Sequence, residues 1–220
     1  GVMEQRTMTL DTRAVRGILP RGGTILGTRR GGPFDTADGV ERVRKSFEDN
    51  RLDALIVIGG NGSLTVGSLL HEQYGLPIIG VPKTIDNDVV PIRQTLGAWT
   101  AAGHGAMFFE NVVNEQSTSS RQLVIHEVMG RHCGWLTAAT ARAWRDRLDH
   151  LEFLPEFNLD RKHKDIDAVY IPEMHIDMDQ EAKRLAKVMD QFDSVSIFVS
   201  EGACVAEIVK ELESRGEAIE

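Results

Sequence analysis

A chain of 220 residues with 41% hydrophobic content is long enough for one large domain or two small ones, and apolar enough to fill a core, which excludes a disordered segment. Acidic residues number 33 against 25 lysines and arginines, and the net charge of −8 excludes nonspecific nucleic-acid binding; an anionic substrate then needs a local concentration of basic groups. Two cysteines, Cys133 and Cys204, make neither a disulfide framework nor a zinc site, no apolar run reaches the ~18 residues of a membrane span, and no signal peptide is visible, so a cytoplasmic protein with no membrane partner is expected.

In chain order, the first cluster is basic. Pro20 to Phe34 (PRGGTILGTRRGGPF) mixes glycines with Arg21, Arg29 and Arg30. Such a stretch suits a loop laid against phosphates, and equally a flexible surface loop. Val40, Val43 and Phe47 follow the i, i+3, i+7 spacing of a helix. Ala54 to Ile58 reads as a buried strand ended by Gly59 and Gly60. Gly59-Gly60-Asn61-Gly62-Ser63 then leads into a helical pattern. Its glycines let backbone approach an anion at a helix start, with Ser63 the expected N-cap, though an ordinary strand-to-helix turn has the same composition.

Pro77 to Val81 is the next strand, and Pro82-Lys83-Thr84-Ile85-Asp86-Asn87-Asp88 leaves its end. Ligands of open α/β sheets bind outside the carboxyl ends of strands. An aspartate there can accept a hydroxyl proton while Lys83 neutralises a transferring phosphoryl group; a polar turn built on Asn and Asp is the other reading. Gln122 to Val128 is a third strand, followed by Met129-Gly130-Arg131-His132-Cys133-Gly134-Trp135. Arg131 has the planar fork that pairs with phosphate. His132 fits a structural role better than a catalytic one, and Cys133 and Trp135 fit the core.

The charged segment from Arg145 to Asp167 reads as an exposed excursion. Ala168 to Ile171 and Val195 to Val199 are two further strands, and Ser200-Glu201-Gly202 puts a carboxylate at the end of the last. Val205, Ile208, Val209 and Leu212 form a helical stripe stopped by Gly216. Strands alternating with helices predict α/β architecture with mainly parallel sheets covered on both faces.

These clusters, in this order, resemble the phosphofructokinase family from about Val15 to the end. The motifs PKTIDND (Pro82 to Asp88) and HEVMGRHCGWLTAATA (His126 to Ala141) carry the resemblance, supported by GGNGS and RGGTILGTRR. It implies Rossmann-like three-layer domains in the phosphofructokinase fold. Residues 1–105 would form a partial phosphoryl-donor domain lacking the family's first strand, and residues 106–220 a fructose 6-phosphate domain. Later sugar-phosphate contacts would lie beyond Glu220, so an internal fragment is expected, as the opening on Gly1 rather than Met also suggests.

By the same resemblance Asp86 is the base that takes the proton of the sugar 1-hydroxyl, with Lys83 beside the reacting oxygens. Thr84, Asp88, Met129, Gly130, Arg131 and Glu201 address the sugar phosphate. Gly59, Gly60, Gly62, Ser63 and Arg30 face the phosphoryl donor, with magnesium between phosphates and protein. Lys83 is typical of pyrophosphate-dependent members, and the stretch Asn87 to Ala102 resembles that branch; Gly62 is the residue of ATP users. Asn61 stands where an acid usually helps hold magnesium. Gln122 occupies the position of a phosphate-binding arginine, one residue after Arg121, which is the candidate for a contact across a homo-oligomer interface. The implied function is phosphoryl transfer from pyrophosphate to fructose 6-phosphate. The alternatives are an ATP-dependent 6-phosphofructokinase or a non-catalytic regulatory subunit. A dinucleotide-binding module is disfavoured because no G-x-G-x-x-G follows a first strand.

Overall fold

The computed structural model describes residues 1–29, 31–157 and 160–216. The chain divides into two compact units, Gly1–Pro82 and Lys83–Glu220. Residue 105, where the sequence reading places a division, lies inside a continuous helix, Ala98–Gln116. All strand pairings among the described residues are parallel.

The first unit contains the short helix α1 (Thr12–Val15), α2 (Gly39–Asp49), β1 (Leu55–Gly59), α3 (Asn61–Tyr74) and most of β2 (Ile78–Thr84). The predicted α2 stripe is real: Val43 and Phe47 are buried with Leu70 of α3, and Val40, Leu55, Val66 and Ile78 pack around them. β1 and β2 run in register from Leu55 opposite Ile78 to Gly59 opposite Pro82. The helix lies close to the sheet because glycines stand at the contact. A Cβ on Gly80 would fall 3.0 Å from Leu64, and one on Gly67 3.3 Å from Ile78. Gly75, at φ +68°, ends α3 in the left-handed conformation that glycine adopts at least cost.

The second unit contains the end of β2, β3 (Leu96–Gly97), α4 (Ala98–Gln116), β4 (Gln122–Val128), α5 (Trp135–Leu148), β5 (Ala168–Tyr170), α6 (Met178–Phe192), β6 (Ser194–Ser200) and α7 (Val205–Ser214). The strand order β4-β6-β5 places the last strand in the centre. On one face, Ala102, Ala106, Phe109 and Val113 of α4 meet Leu136, Ala141, Trp144 and Leu148 of α5 over Val128 and Phe198. Phe109 is the hub, edge-on to Phe198 at 4.6 Å and to Trp144 at 5.4 Å. On the other face, Leu185, Val188 and Met189 of α6 cover Ala168, Val195 and Ile197. This unit therefore has three layers. The amide of the buried Gln116 satisfies three groups: it donates to the carbonyls of Gln122 and Val195 and accepts from the Ser196 hydroxyl, so the end of α4 is tied to the starts of β4 and β6.

Three expectations are corrected. The strands are not covered on both faces throughout. Ile56, Ile58 and Ile79 of the first sheet and Leu123 and Ile125 of β4 stay more than half or about half exposed, because helices within each unit reach only one face of those strands. The segment 145–167 is not a free excursion. Leu148 and Ile166 are buried, Trp144 Nε1 donates to the Lys164 carbonyl at 2.8 Å, Arg145 bonds Asp165 and the Ile166 carbonyl, and Lys162 pairs with the enclosed Asp167. Its charges neutralise one another against the body rather than facing water alone. Trp135 lies at the edge of the core rather than within it: half-buried, it packs against the cluster around Phe109 and stands edge-on to Trp99 at 5.3 Å.

Phe109→Ala in the full-length protein should lower unfolding free energy by about 3–5 kcal/mol, the range for losing a buried phenyl ring and leaving a cavity. Urea unfolding followed by tryptophan fluorescence measures this, and a loss below ~1 kcal/mol would show that the aromatic cluster is not the hub of this core.

Candidate active site

In the first unit, β1 ends on Gly59 and α3 begins two residues later, with Gly60 extended between them (φ −84°, ψ −168°). A Cβ on Gly59 would sit 2.6 Å from Ser63 Cβ, so only glycine permits this return of the helix onto the strand. Ser63 is not the N-cap; that position is Gly60, and no side chain caps the helix. The correction has a chemical consequence, because the first-turn N–H groups of a 14-residue helix are not engaged by a capping side chain. Asn61, Gly62 and Ser63 are exposed, and a Cβ on Gly62 would meet nothing within 4 Å. Of the basic cluster, Arg29 pairs with Glu4 at 2.8 Å on the surface, and Arg30 lies outside the described residues.

In the second unit, Lys83 and Thr84 end β2, opposite Leu96 and Gly97. Lys83 is exposed; Thr84, Asp86 and Asp88 are half-buried. A small network shapes the turn between them. The Asp86 N–H donates to Thr84 Oγ1 at 3.2 Å. Asn87 takes the left-handed conformation (φ 54°), and its side chain accepts from the Thr95 N–H at 2.8 Å and donates to the Arg93 carbonyl at 3.2 Å. The buried Thr95 hydroxyl donates to the Thr84 carbonyl at 2.8 Å. Thr95 is thus a support for this loop that sequence reasoning missed; a lone threonine before a helix carries no signal of its own.

Burial raises the Asp86 pKa above the ordinary aspartate value, and the negative charges of Asp88 and then Glu201 add to the effect. A carboxylate so placed holds a proton more tightly than a solvated one, which is the property required of a general base.

The third cluster sits at the level ends of β4 and β6. The Glu201 N–H donates to the Val128 carbonyl at 2.9 Å. The Arg131 guanidinium donates to Glu201 Oε1 through Nε at 3.1 Å and a terminal nitrogen at 2.8 Å. Gly130 is buried at φ +136°, and Met129 is exposed. Cys133 is half-buried, its thiol 3.5 Å from the Asp86 carbonyl, so it ties this loop to the Asp86 turn rather than simply filling space. His132 is exposed on an open cleft shared with Arg131, Glu173, His175, Glu201 and Glu207.

The fold therefore gathers Asp86, Asp88, Met129, Gly130, Arg131 and Glu201 within one unit. Arg121 does not join them. It precedes β4, at the opposite end of a seven-residue strand, about 26 Å from Met129 at ~3.3 Å per residue. There it makes an exposed pair with Asp190 at 3.1 Å.

Comparison with known proteins accords with this layout. The sequence profile of the family described as phosphofructokinase matches residues 1–219. A pyrophosphate–fructose 6-phosphate 1-phosphotransferase of Methylomonas methanica is 46% identical over 96% of this chain and 56% of its own. The enzyme of the same name from Methylotuvimicrobium alcaliphilum is 53% identical over 76% of this chain and 42% of its own. Among solved structures, the pyrophosphate-dependent phosphofructokinase of Nitrosospira multiformis superposes with a TM-score of 0.58 at 27% identity, over 81% of this chain and 45% of that one. The chain spans about half the length of the curated relatives it matches. With the family profile covering nearly every residue and a glycine-bounded helix start, an acidic turn and an arginine–glutamate pair at strand ends, this chain belongs to the phosphofructokinase family.

Proposed function

We propose that the protein containing this chain transfers a phosphoryl group from pyrophosphate to the 1-hydroxyl of fructose 6-phosphate. The observation that carries the reading is Asp86, a half-buried carboxylate of raised proton affinity at the carboxyl end of β2, in the same unit as Arg131 and Glu201. Asp86 takes the hydroxyl proton as the sugar oxygen bonds to phosphorus. The bridging P–O bond of pyrophosphate breaks, and inorganic phosphate leaves. Thr84 and Asp88 orient the hydroxyl. Met129, Gly130, Arg131 and Glu201 hold the sugar phosphate, with Arg131 exchanging Glu201 for the anion.

On the donor side, the backbone amides of Gly59, Gly60, Gly62 and Ser63, where β1 ends and α3 begins, together with Arg30, receive the phosphates, and Lys83 neutralises charge on the transferring group. Magnesium, where bound, would supply further neutralisation of the donor's charge. No group of three or more His, Cys, Asp or Glu among the described residues could hold a metal ion, so the fitting arrangement is an ion carried by the donor phosphates with Asn61 contributing a neutral oxygen. Because Arg121 is a strand length from the sugar site of its own chain, its role would be toward the site of a second copy in a homo-oligomer. No described helix is long and apolar enough to cross a membrane. Substrates that are membrane-impermeant anions favour the cytoplasm.

ATP is the second reading of the donor, motivated by the open space at Gly62. Assays of the full-length protein with each donor, magnesium and fructose 6-phosphate separate the two. Turnover with pyrophosphate, its severe loss in Lys83→Gly and its survival in Gly62→Asp are expected. Turnover with ATP and none with pyrophosphate would reassign the donor.

Asp86→Asn should leave fructose 6-phosphate binding largely intact and reduce turnover by about 10²–10⁴-fold. The same substitution should raise the melting temperature at neutral pH. An aspartate whose folded pKa is raised binds more protons folded than unfolded, so stability falls as pH rises between the ordinary and raised values, and Asn removes that loss. Wild-type turnover in the variant would remove Asp86 from the mechanism.

The acid limb of the turnover–pH profile should lie above the ordinary aspartate value of about 3.9 and move to lower pH in Asp88→Asn, which removes one of the charges that raise it. An unmoved limb would assign it to another group.

A further inference from the structure

The loop from Met129 to Gly134 has two anchors that its own residues do not provide. Ser200, the last residue of β6 and 1% exposed, donates its hydroxyl to the Gly130 carbonyl at 2.6 Å. Gly130 is in a conformation that other residues rarely adopt, and a Cβ there would fall 2.4 Å from the Cys133 carbonyl oxygen and 3.0 Å from Ser200 Oγ. The hydroxyl thus grips the peptide that turns the chain from β4 into the loop. At the far end, the Gly134 N–H, at the start of α5, donates to both carboxylate oxygens of Glu173, at 2.9 and 3.1 Å. Space at Gly134 is equally tight: a Cβ would lie 2.3 Å from Ile171 and 2.7 Å from Glu173. Between the anchors, Gly202 backs directly onto the Arg131 carbonyl, where a Cβ would overlap the oxygen at 1.8 Å.

We propose that Ser200 and Glu173 are positioning residues that clamp the loop 129–134 at its two ends and so set the direction in which Arg131 presents its guanidinium to the phosphate of the sugar substrate. The inference rests on the reading that this loop binds the sugar phosphate. Neither side chain need touch substrate. Each acts through a backbone group: Ser200 through the carbonyl of Gly130, Glu173 through the amide of Gly134. Loss of either bond leaves a polar backbone group unpaired in a crowded turn and lets the loop sample other directions, which weakens binding by a geometric route. Arg131 itself is exposed, so its guanidinium has no packing to hold it and depends on its backbone and on Glu201 for aim.

The test uses the full-length protein and two pairs of variants. Ser200→Ala and Glu173→Ala remove the clamps; Ser200→Thr retains a hydroxyl, and Glu173→Gln retains one acceptor oxygen. Glu173 is exposed, so its variants are expected to fold even if the buried Ser200 site tolerates change poorly. Two quantities are read: KM for each substrate, and amide hydrogen exchange of the peptide spanning 129–135.

Each alanine variant should raise KM for fructose 6-phosphate about tenfold, the equivalent of one lost hydrogen bond of ~1.4 kcal/mol. KM for pyrophosphate should stay within about twofold, exchange at 129–135 should quicken, and the Thr or Gln partner should recover most of both effects. Equal changes in both KM values, an unchanged sugar KM, or conservative variants no better than alanine would each overturn the proposal. If the wild type does not turn over fructose 6-phosphate with either donor, the functional reading fails by itself. The clamp then stands or falls on whether exchange at 129–135 responds to the four variants in the expected order.

Discussion

β4 and β6 run parallel and in register for seven residues, from Gln122 opposite Ser194 to Val128 opposite Ser200, and so end level. Whatever follows each strand must emerge side by side. Met129 to Arg131 follows one and Glu201 the other, 70 residues apart in sequence, and the Arg131–Glu201 pair is the direct result. The register is held at its start by Gln116, whose amide bridges the opening of both strands from the end of α4, and at its finish by the Glu201 N–H on the Val128 carbonyl. A one-residue slip would reverse the facing of every side chain on β4 and part the arginine from its carboxylate. The aromatic cluster of Phe109, Trp144 and Phe198 is the apolar counterpart, since it packs only when β6 presents Phe198 to α4 and α5.

The acidic turn after β2 is a site where stability is given up. Asp86 is placed among Asp88 and Glu201 and away from full hydration, so its ionised form is disfavoured. Free energy of that kind is recovered elsewhere in the fold, and here the surrounding hydrogen bonds of Asn87 and Thr95 hold the backbone of the turn against the repulsion. Arg131, in the same unit, is engaged by Glu201.

Glycine is used at both candidate sites for one reason: close approach of backbone to a neighbouring segment. Gly59 lets α3 return onto β1, and Gly130 with Gly202 lets two loops cross at the ends of β4 and β6.

Much of this was legible in the sequence. Apolar runs marked β1, β2, β4, β5 and β6 within one or two residues, except at the carboxyl end of β2, and spaced valines marked α2 and α7, because strand and helix periodicity are local properties of side-chain direction. The polar clusters at strand ends were legible too, since acids, glycines and arginines at the close of apolar runs have no use in a core. Tertiary structure alone decided the rest. Thr95 and Glu173 gained their roles only from what the fold brought near them, and Ser63 lost its capping role because the helix starts two residues earlier, at Asn61. The separation of Arg121 from Arg131 depends on strand direction. Whether Ile56 or Ile125 is covered depends on which helices reach each face, and a run of apolar residues reads alike in either case. Spacing along a chain records which residues share a face; it does not record what that face will meet.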